Sequence, residues 1–210
     1  MPMKPAGQVL ALLRTQPAIA CAAWGFMCRG APLNSALGGN CTLTCTTNDG
    51  VYLIDVADGG GTDWFIPFAS GAARYCDVPS GQPNGTLVVT FPMNGCALEV
   101  HPTATGNRFY HDSDGKHMPV LASAAKCRVD ANMYEGPGAK AMSTLSRFPD
   151  RRDHDIVGQN FEHTIICVKD GAYWNVYQTA VVTTMNKSTG ARSSWQIKDG
   201  PPVHLGVFGD

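Results

Sequence analysis

The sequence carries little charge. Only 16% of its 210 residues are Asp, Glu, Lys or Arg, and the formal net charge is −1. A surface that binds nucleic acid or an anionic membrane needs clustered Lys and Arg, and no such cluster stands out here. No apolar run reaches the roughly 20 residues of a membrane-spanning helix. We therefore expect no nucleic acid and no membrane as partner, and a monomer.

Several motifs that carry chemistry are also missing. The sequence has no CxxC pair, no HExxH, no GxSxG elbow and no phosphate-binding glycine pattern, so Gly59–Gly61 predicts a plain turn. Cys41 and Cys45 are four residues apart, which on a strand separates them by about 13 Å, too far to share one metal ion. Neither a serine hydrolase, nor a metal site, nor a cofactor is predicted.

Cysteine is present in an even number, which raises the question of disulfides. The eight cysteines stand at positions 21, 28, 41, 45, 76, 96, 127 and 167. A chain of this length does not need staples, and half of the cysteines lie in apolar strand patterns, where a free thiol packs like a small hydrophobe. We therefore expect a mostly reduced protein, which suits work in a cytosol.

Length and composition predict a single α+β domain, residues 1–210, rich in strands. Glycine (23) and proline (14) are plentiful, which favours short strands joined by turns. The expected elements form two small sheets with one or two flanking helices. They are a helix at Ala6–Arg14, a hairpin of Cys41–Thr47 with Val51–Val56, a strand at Trp64–Phe68, a segment Val120–Val129 readable as helix or strand, a helix at Ala139–Arg147, a loop at Pro149–Asp155, and a meander of Phe161–Val168, Ala172–Thr184 and Arg192–Ile197.

The N-terminal segment, residues 1–30, is expected to be helical. Arg14 interrupts its apolar run, and no small-residue cleavage site follows. A Sec signal peptide is therefore not expected. A secretion signal of another type would fit within the same thirty residues.

The stretch Thr86–Asp112 offers a nucleophile and its base from one hairpin. It predicts strands at Thr86–Phe91, Cys96–Val100 and Arg108–His111. If Pro102–Thr105 forms the loop, Cys96 faces His111, and directly opposed residues share one face of the sheet. A nearby imidazolium lowers a thiol pKa and favours the reactive thiolate. The alternative is a buried thiol that merely shares a strand pair with a histidine.

Gly95 adds to the catalytic interpretation of Cys96. A glycine directly before a nucleophile lets the backbone turn sharply, so that the Cys96 amide N–H is free to serve an oxyanion hole. His154 and His163 are interpreted as a surface-loop histidine and a strand histidine. Cys96, His111 and Gly95 are thus the candidate site residues that the sequence itself indicates.

The segment VVTFPMNGC followed by FYHD resembles a known motif. It is similar to the catalytic motif of the family of glutamine deamidase toxins that includes cytotoxic necrotizing factor and Burkholderia lethal factor. Members of this family carry a serine-glycine-cysteine motif, with the histidine on a following strand after an aromatic residue. Some of them place a threonine six residues before the cysteine, which is the position of Thr90. Asn94 is a departure, because it stands where the family has the motif serine.

The resemblance implies a sandwich of two mixed sheets flanked by helices. It implies Cys96 as nucleophile, His111 as base and Thr90 as the residue that orients the base, acting on a glutamine side chain. A transglutaminase side activity would follow if an amine replaced water. The implied protein is a secreted bacterial effector in a host or target-cell cytoplasm, with a Rho-type GTPase or a DEAD-box translation-initiation helicase as target. A papain-like cysteine protease and a non-catalytic binding domain remain alternatives.

Overall fold

The computed structural model describes residues 3–29, 38–135, 156–186, 188–197 and 202–210. Within these ranges the chain is strand-rich, with few helices and two sheets, one of them curled. The strand-rich α+β class predicted from the sequence is confirmed at this level. The predicted helix Ala139–Arg147 and the predicted loop Pro149–Asp155 lie outside the described residues.

The helices are short, and the first two pack on one sheet. They are α1 (Ala6–Thr15), α2 (Pro17–Ala23) and α3 (Ala131–Glu135). The predicted helix at Ala6–Arg14 is confirmed as α1, with Val9 and Leu13 fully buried in the core. The expectation that residues 1–30 are helical is wrong at Phe26–Arg29, which pairs with Val51–Asp58 as a strand. No helix among the described residues is long and apolar enough to cross a membrane.

The larger sheet has nine strands and is mixed. Its strands are β1 (Phe26–Arg29), β2 (Gly39–Asn48), β3 (Val51–Asp58), β4 (Asp63–Ile66), β6 (Leu87–Thr90), β10 (Ile156–Asp170), β11 (Tyr173–Asn186), β12 (Arg192–Ile197) and β13 (His204–Gly209). The order is β1-β3-β2-β4-β6-β10-β11-β12, with β13 also pairing β11. The β1–β3 and β4–β6 pairs are parallel and the others antiparallel. The predicted C-terminal meander is confirmed as β10, β11 and β12.

The larger sheet curls until its first strand meets a strand near its far end. The Phe26 N–H in β1 donates to Thr179 Oγ1 in β11 at 3.0 Å, and the same hydroxyl donates to the Phe26 carbonyl at 3.2 Å. One threonine side chain therefore satisfies both backbone groups of an edge residue, which would otherwise be buried without partners.

The smaller sheet has four strands, all antiparallel. They are β5 (Ala73–Pro79), β7 (Ala97–Pro102), β8 (Gly106–Asp112) and β9 (Cys127–Val129), in the order β5-β8-β7-β9. The expectation of two mixed sheets is therefore wrong for this one. Strands β7 and β8 form a hairpin, which requires antiparallel pairing, and β5 and β9 add to its two edges in the antiparallel sense.

The main buried cluster between the two sheets positions the candidate site. Leu98, Val100 and Phe109 of the smaller sheet pack with Ile165 and Trp174 of the larger one. Residues alternate between the two faces of a strand, so Phe109 and His111 on β8 face the same interior. The site residues on the smaller sheet therefore point toward the larger sheet and not toward solvent.

The β2–β3 hairpin was predicted from its turn residues. Asn48 pairs with Val51, so the turn is the two-residue type, with positive φ at Asp49 (44°) and Gly50 (88°). Asp-Gly favours this mirror-image turn because both residues tolerate positive φ. The β2–β3 hairpin therefore forms where the sequence predicts it.

Candidate active site

Cys96 lies at the end of a tight turn between β6 and β7. The turn is fixed at its start by Met93, whose N–H donates to the His163 carbonyl at 2.7 Å and whose carbonyl accepts from the His163 N–H at 3.0 Å. Gly95 has φ of +84°, and a Cβ added there would meet nothing within 4 Å. Positive φ, not crowding, is therefore what favours glycine immediately before the thiol. Asn94 is exposed in the same turn.

The register expected for the hairpin is wrong by two residues. Leu98, not Cys96, pairs with His111, and residues 103–105 connect the two strands. The Thr103 N–H donates to the Gly106 carbonyl at 2.8 Å, which closes the turn one residue later than expected. Pro102 stays in the strand because the alternation places it at a non-hydrogen-bonded position relative to β8.

A shift of two residues preserves the face on which each side chain lies. Cys96 therefore keeps the side that it shares with Leu98 and Val100, and it packs in the same buried cluster. Diagonal neighbours on one face of a sheet lie about 7–8 Å apart, so Cys96 is one diagonal step from direct opposition to His111, and no hydrogen bond joins its thiol to His111 Nε2. The thiol and the imidazole approach the interior from the same side.

His111 is held in one orientation by Thr90. The Thr90 hydroxyl donates to the Ile66 carbonyl at 2.9 Å, and His111 Nδ1 lies 2.6 Å from the same oxygen. Because a carbonyl can only accept, the single hydroxyl proton is used there, and Nδ1–H of His111 must be the donor to Thr90. The neutral ring then carries its lone pair on Nε2, the nitrogen that can act as a base.

The Nε2 atom of His111 is fully buried and has no hydrogen-bond partner among the described residues. Burial lowers the pKa of His111 from 6.5 to about 4, so the ring is neutral at pH 7. The expected activation by an imidazolium is therefore not favoured in the resting protein. A neutral imidazole with a free Nε2 is instead ready to accept the thiol proton.

Phe68 covers His111, and the sequence did not indicate this role. The strand predicted at Trp64–Phe68 ends at Ile66, so Phe68 lies in the segment that follows β4. Its ring centroid is 5.0 Å from that of His111. Phe68 as a residue is 43% exposed, whereas His111 is 0% exposed. Phe68 therefore stands between the candidate base and solvent.

Tyr134 fixes the other end of the cysteine turn. Its hydroxyl donates to the Cys96 carbonyl at 2.9 Å, and its ring centroid is 4.8 Å from that of His163. Gln178 Nε2 donates to the Tyr134 carbonyl at 3.1 Å, while Gln178 Oε1 accepts from His163 Nδ1 at 3.0 Å. These residues are far from Cys96 in sequence, and no local pattern indicates that they surround it.

The other seven cysteines lie outside the candidate site. All eight are free thiols. Burial raises the pKa of each of the other seven, which favours the unreactive protonated form. Among the described residues no group of three or more His, Cys, Asp or Glu is arranged to hold a metal ion.

A cavity of about 440 Å³ lies elsewhere, beside α1 and the β10–β11 hairpin. Its lining includes Arg14, Asn84, Asp170, Asn175 and Tyr177 but no thiol or imidazole. This cavity therefore contains neither the candidate nucleophile Cys96 nor the candidate base His111.

The structure thus joins Thr90 to His111 and places Cys96 after Gly95 in the turn that leads into β7, with Asn94 at the exposed side of that turn. No model of a known protein family matches the chain, and a search of curated proteins finds no match. The arrangement has the parts of a cysteine–histidine site, with a third residue that orients the histidine.

Proposed function

We propose that the chain is a cysteine-dependent protein-glutamine deamidase of the toxin and effector type. The observation that carries the proposal is the hydrogen bond from His111 Nδ1 to Thr90. It leaves His111 Nε2 without a partner among the described residues. Cys96 packs in the buried cluster between the two sheets, toward which His111 also points. This is the arrangement in which an orienting group fixes the tautomer of a general base.

The reaction needs no group beyond these side chains and water. His111 Nε2 takes the proton of the Cys96 thiol, and the thiolate attacks the carboxamide carbon of a glutamine. The Cys96 N–H, and the turn at Asn94, stabilise the tetrahedral oxyanion. The C–N bond breaks, the nitrogen takes the proton from His111, and ammonia leaves a thioester. His111 then removes a proton from water, which hydrolyses the thioester to glutamate and restores the thiol.

Burial of the site favours a side-chain amide over a peptide bond. Cys96 is 6% exposed and His111 is 0% exposed. A slender glutamine side chain can enter such a site from one side, whereas a scissile peptide bond needs an open cleft for the chain on both sides. Among cysteine hydrolases a deamidase therefore fits better than a papain-like protease. An amine that enters in place of water would give transglutamination.

The biological setting is proposed from the motif resemblance. The substrate is a protein of a host or target cell, by analogy a Rho-type GTPase or a DEAD-box translation-initiation helicase. The chain would be secreted by a bacterium and would act as a monomer in the cytoplasm of that cell. Converting one neutral amide to a carboxylate is enough to alter a regulatory or catalytic glutamine of the target.

The proposal is tested by labelling each cysteine with iodoacetamide across a pH series, read by peptide mass spectrometry, in the wild type and in His111→Ala. We expect selective labelling of Cys96 below pH 8 that is lost in the variant. The seven other thiols supply the background, because burial raises their pKa. If Cys96 reacts no faster than they do, the chain is a non-catalytic binding domain.

A further inference from the structure

Phe68 presents an apolar surface at the mouth of the candidate site. Its ring lies against His111, with the centroids 5.0 Å apart, and yet 43% of the residue remains exposed. A large apolar side chain that covers a buried base on one side and meets solvent on the other is placed to touch whatever approaches that base.

The segment that carries Phe68 is anchored at both ends. At its start, the Ile66 carbonyl accepts from the Thr90 hydroxyl at 2.9 Å. At its end, the Gly71 N–H donates to Ser113 Oγ at 3.2 Å and the Ser113 N–H donates to the Ala72 carbonyl at 3.2 Å. Phe68 is therefore presented from a fixed segment, and a fixed contact surface loses less entropy when a partner binds.

The two segments that frame the site contain no charged residue. Residues 67–73 read PFASGAA, and residues 86–98 read TLVVTFPMNGCAL. Two charged residues lie in register beside these segments: Arg74, which pairs with His111 and is exposed, and Asp112, which pairs with Ala73 and Ala97 and is buried. An uncharged frame favours an apolar neighbour, because a charged one would lose water there without gaining a partner.

We propose that Phe68 forms a subsite for an apolar residue of the target protein that flanks the glutamine. The inference rests on the proposed deamidase function and specifies its substrate class, a glutamine next to an apolar residue in an exposed segment of a target protein. The flanking side chain packs on the exposed part of the Phe68 ring while the carboxamide reaches Cys96. Apolar contact of this kind contributes specificity to cleavage or transfer reactions without taking part in them.

The test uses three synthetic peptides of equal length that differ only in the residue before a single glutamine, which is leucine, serine or aspartate. Ammonia release and the amide-to-acid mass change are measured with the full-length chain, Phe68→Ala and Phe68→Leu. Tyr173→Ala is the matched control, because Tyr173 is an exposed aromatic residue, 56% exposed, at the far β10–β11 turn. Iodoacetamide and its N-hexyl derivative are compared at Cys96 as a second readout.

We expect the wild type and Tyr173→Ala to favour the leucine peptide over the serine peptide at least roughly tenfold in kcat/KM. Phe68→Ala should lose the preference, Phe68→Leu should retain part of it, and the N-hexyl reagent should show the same order. Equal rates for leucine and serine, or faster reaction of the aspartate peptide through Arg74, overturn the subsite. If Cys96 is alkylated selectively but no peptide is deamidated, the subsite is judged by the N-hexyl reagent alone. A preference for this reagent that Phe68→Ala loses supports the subsite, and a preference that Phe68→Ala keeps overturns it. If Cys96 is unreactive, the deamidase proposal itself fails.

Discussion

Replacing Thr90 by valine isolates the contribution of a single hydroxyl group to the proposed base. Valine keeps nearly the same volume and removes only the oxygen that links His111 Nδ1 to the Ile66 carbonyl. Without that acceptor, the His111 proton is free to move to Nε2, the position that must be unprotonated to accept the thiol proton. Thr90→Val should therefore reduce the reactivity of Cys96.

The magnitude follows from two effects. Thr90 is 1% exposed, so its loss leaves buried polar groups of His111 and Ile66 without their partner. A buried group left without its hydrogen bond costs about 1–3 kcal/mol, and we expect about 2 kcal/mol of unfolding free energy to be lost. At about 2–4 °C per kcal/mol for a domain of this size, Tm should fall by about 4–8 °C.

The effect on chemistry should exceed the effect on stability. A correctly placed general base contributes about 10²–10⁴ in rate, so we expect Cys96 labelling at pH 7 to slow by about 100-fold or more. The assay is iodoacetamide labelling at a temperature well below Tm, quantified for Cys96 against the other cysteines of the same chain. Thr90→Ser is the control, because serine retains the hydroxyl and loses only a methyl group.

One result would refute the role assigned to Thr90. If Thr90→Val lowers Tm as expected and yet labels Cys96 as fast as the wild type, then Thr90 supports the fold without orienting the base. A Thr90→Ser variant as unreactive as Thr90→Val would lead to the same conclusion, since the hydroxyl would then be irrelevant.

Two further predictions concern stability. The pKa of His111 falls from 6.5 to about 4 on folding, so between these pH values the unfolded chain binds more protons than the folded one. Acidification from pH 6.5 to 4 should therefore lower the free energy of unfolding by about 3 kcal/mol through this residue. Urea titrations should find this pH dependence missing in His111→Asn. Asp63 is buried and accepts two hydrogen bonds from Arg14, at 2.6 and 2.5 Å, so Asp63→Asn should lower the free energy of unfolding by about 3 kcal/mol. Asp77 pairs with Arg108 in a largely exposed ion pair, so Asp77→Asn should lower it by less than about 1 kcal/mol. Similar losses in the two variants would contradict the difference expected between a buried and an exposed ion pair.

Local patterns predicted the elements where one face of a strand or helix is apolar and the turn residues are specific. The hairpin closed by Asp49 and Gly50 and the long hairpin of β10 and β11 are of this kind. Strand β5 was not predicted, because it lies at the edge of its sheet and carries exposed Arg74, Tyr75 and Asp77. Only Cys76 and Val78 face the core in this strand, and so short an alternation is a weak strand signal.

The expected pairing of Cys96 with His111 shows how far a sequence argument extends. The two strands and the shared face were predicted, since faces alternate with a period of two. The register was wrong because it depends on where Thr103 and Gly106 close the loop, and a shift by two residues leaves the hydrophobic pattern unchanged. The pattern therefore determines the face of Cys96 but not its partner.

The sequence by itself determined the strand-rich class, the early hairpin and a cysteine and histidine on one face of a sheet. These follow from local periodicity and turn chemistry, which act over a few residues. Only the tertiary structure decided that Phe68 covers His111, that Tyr134 contacts Cys96 and that the imidazole is neutral. Those properties depend on burial and on contacts between segments distant in sequence, and no short stretch of sequence contains that information.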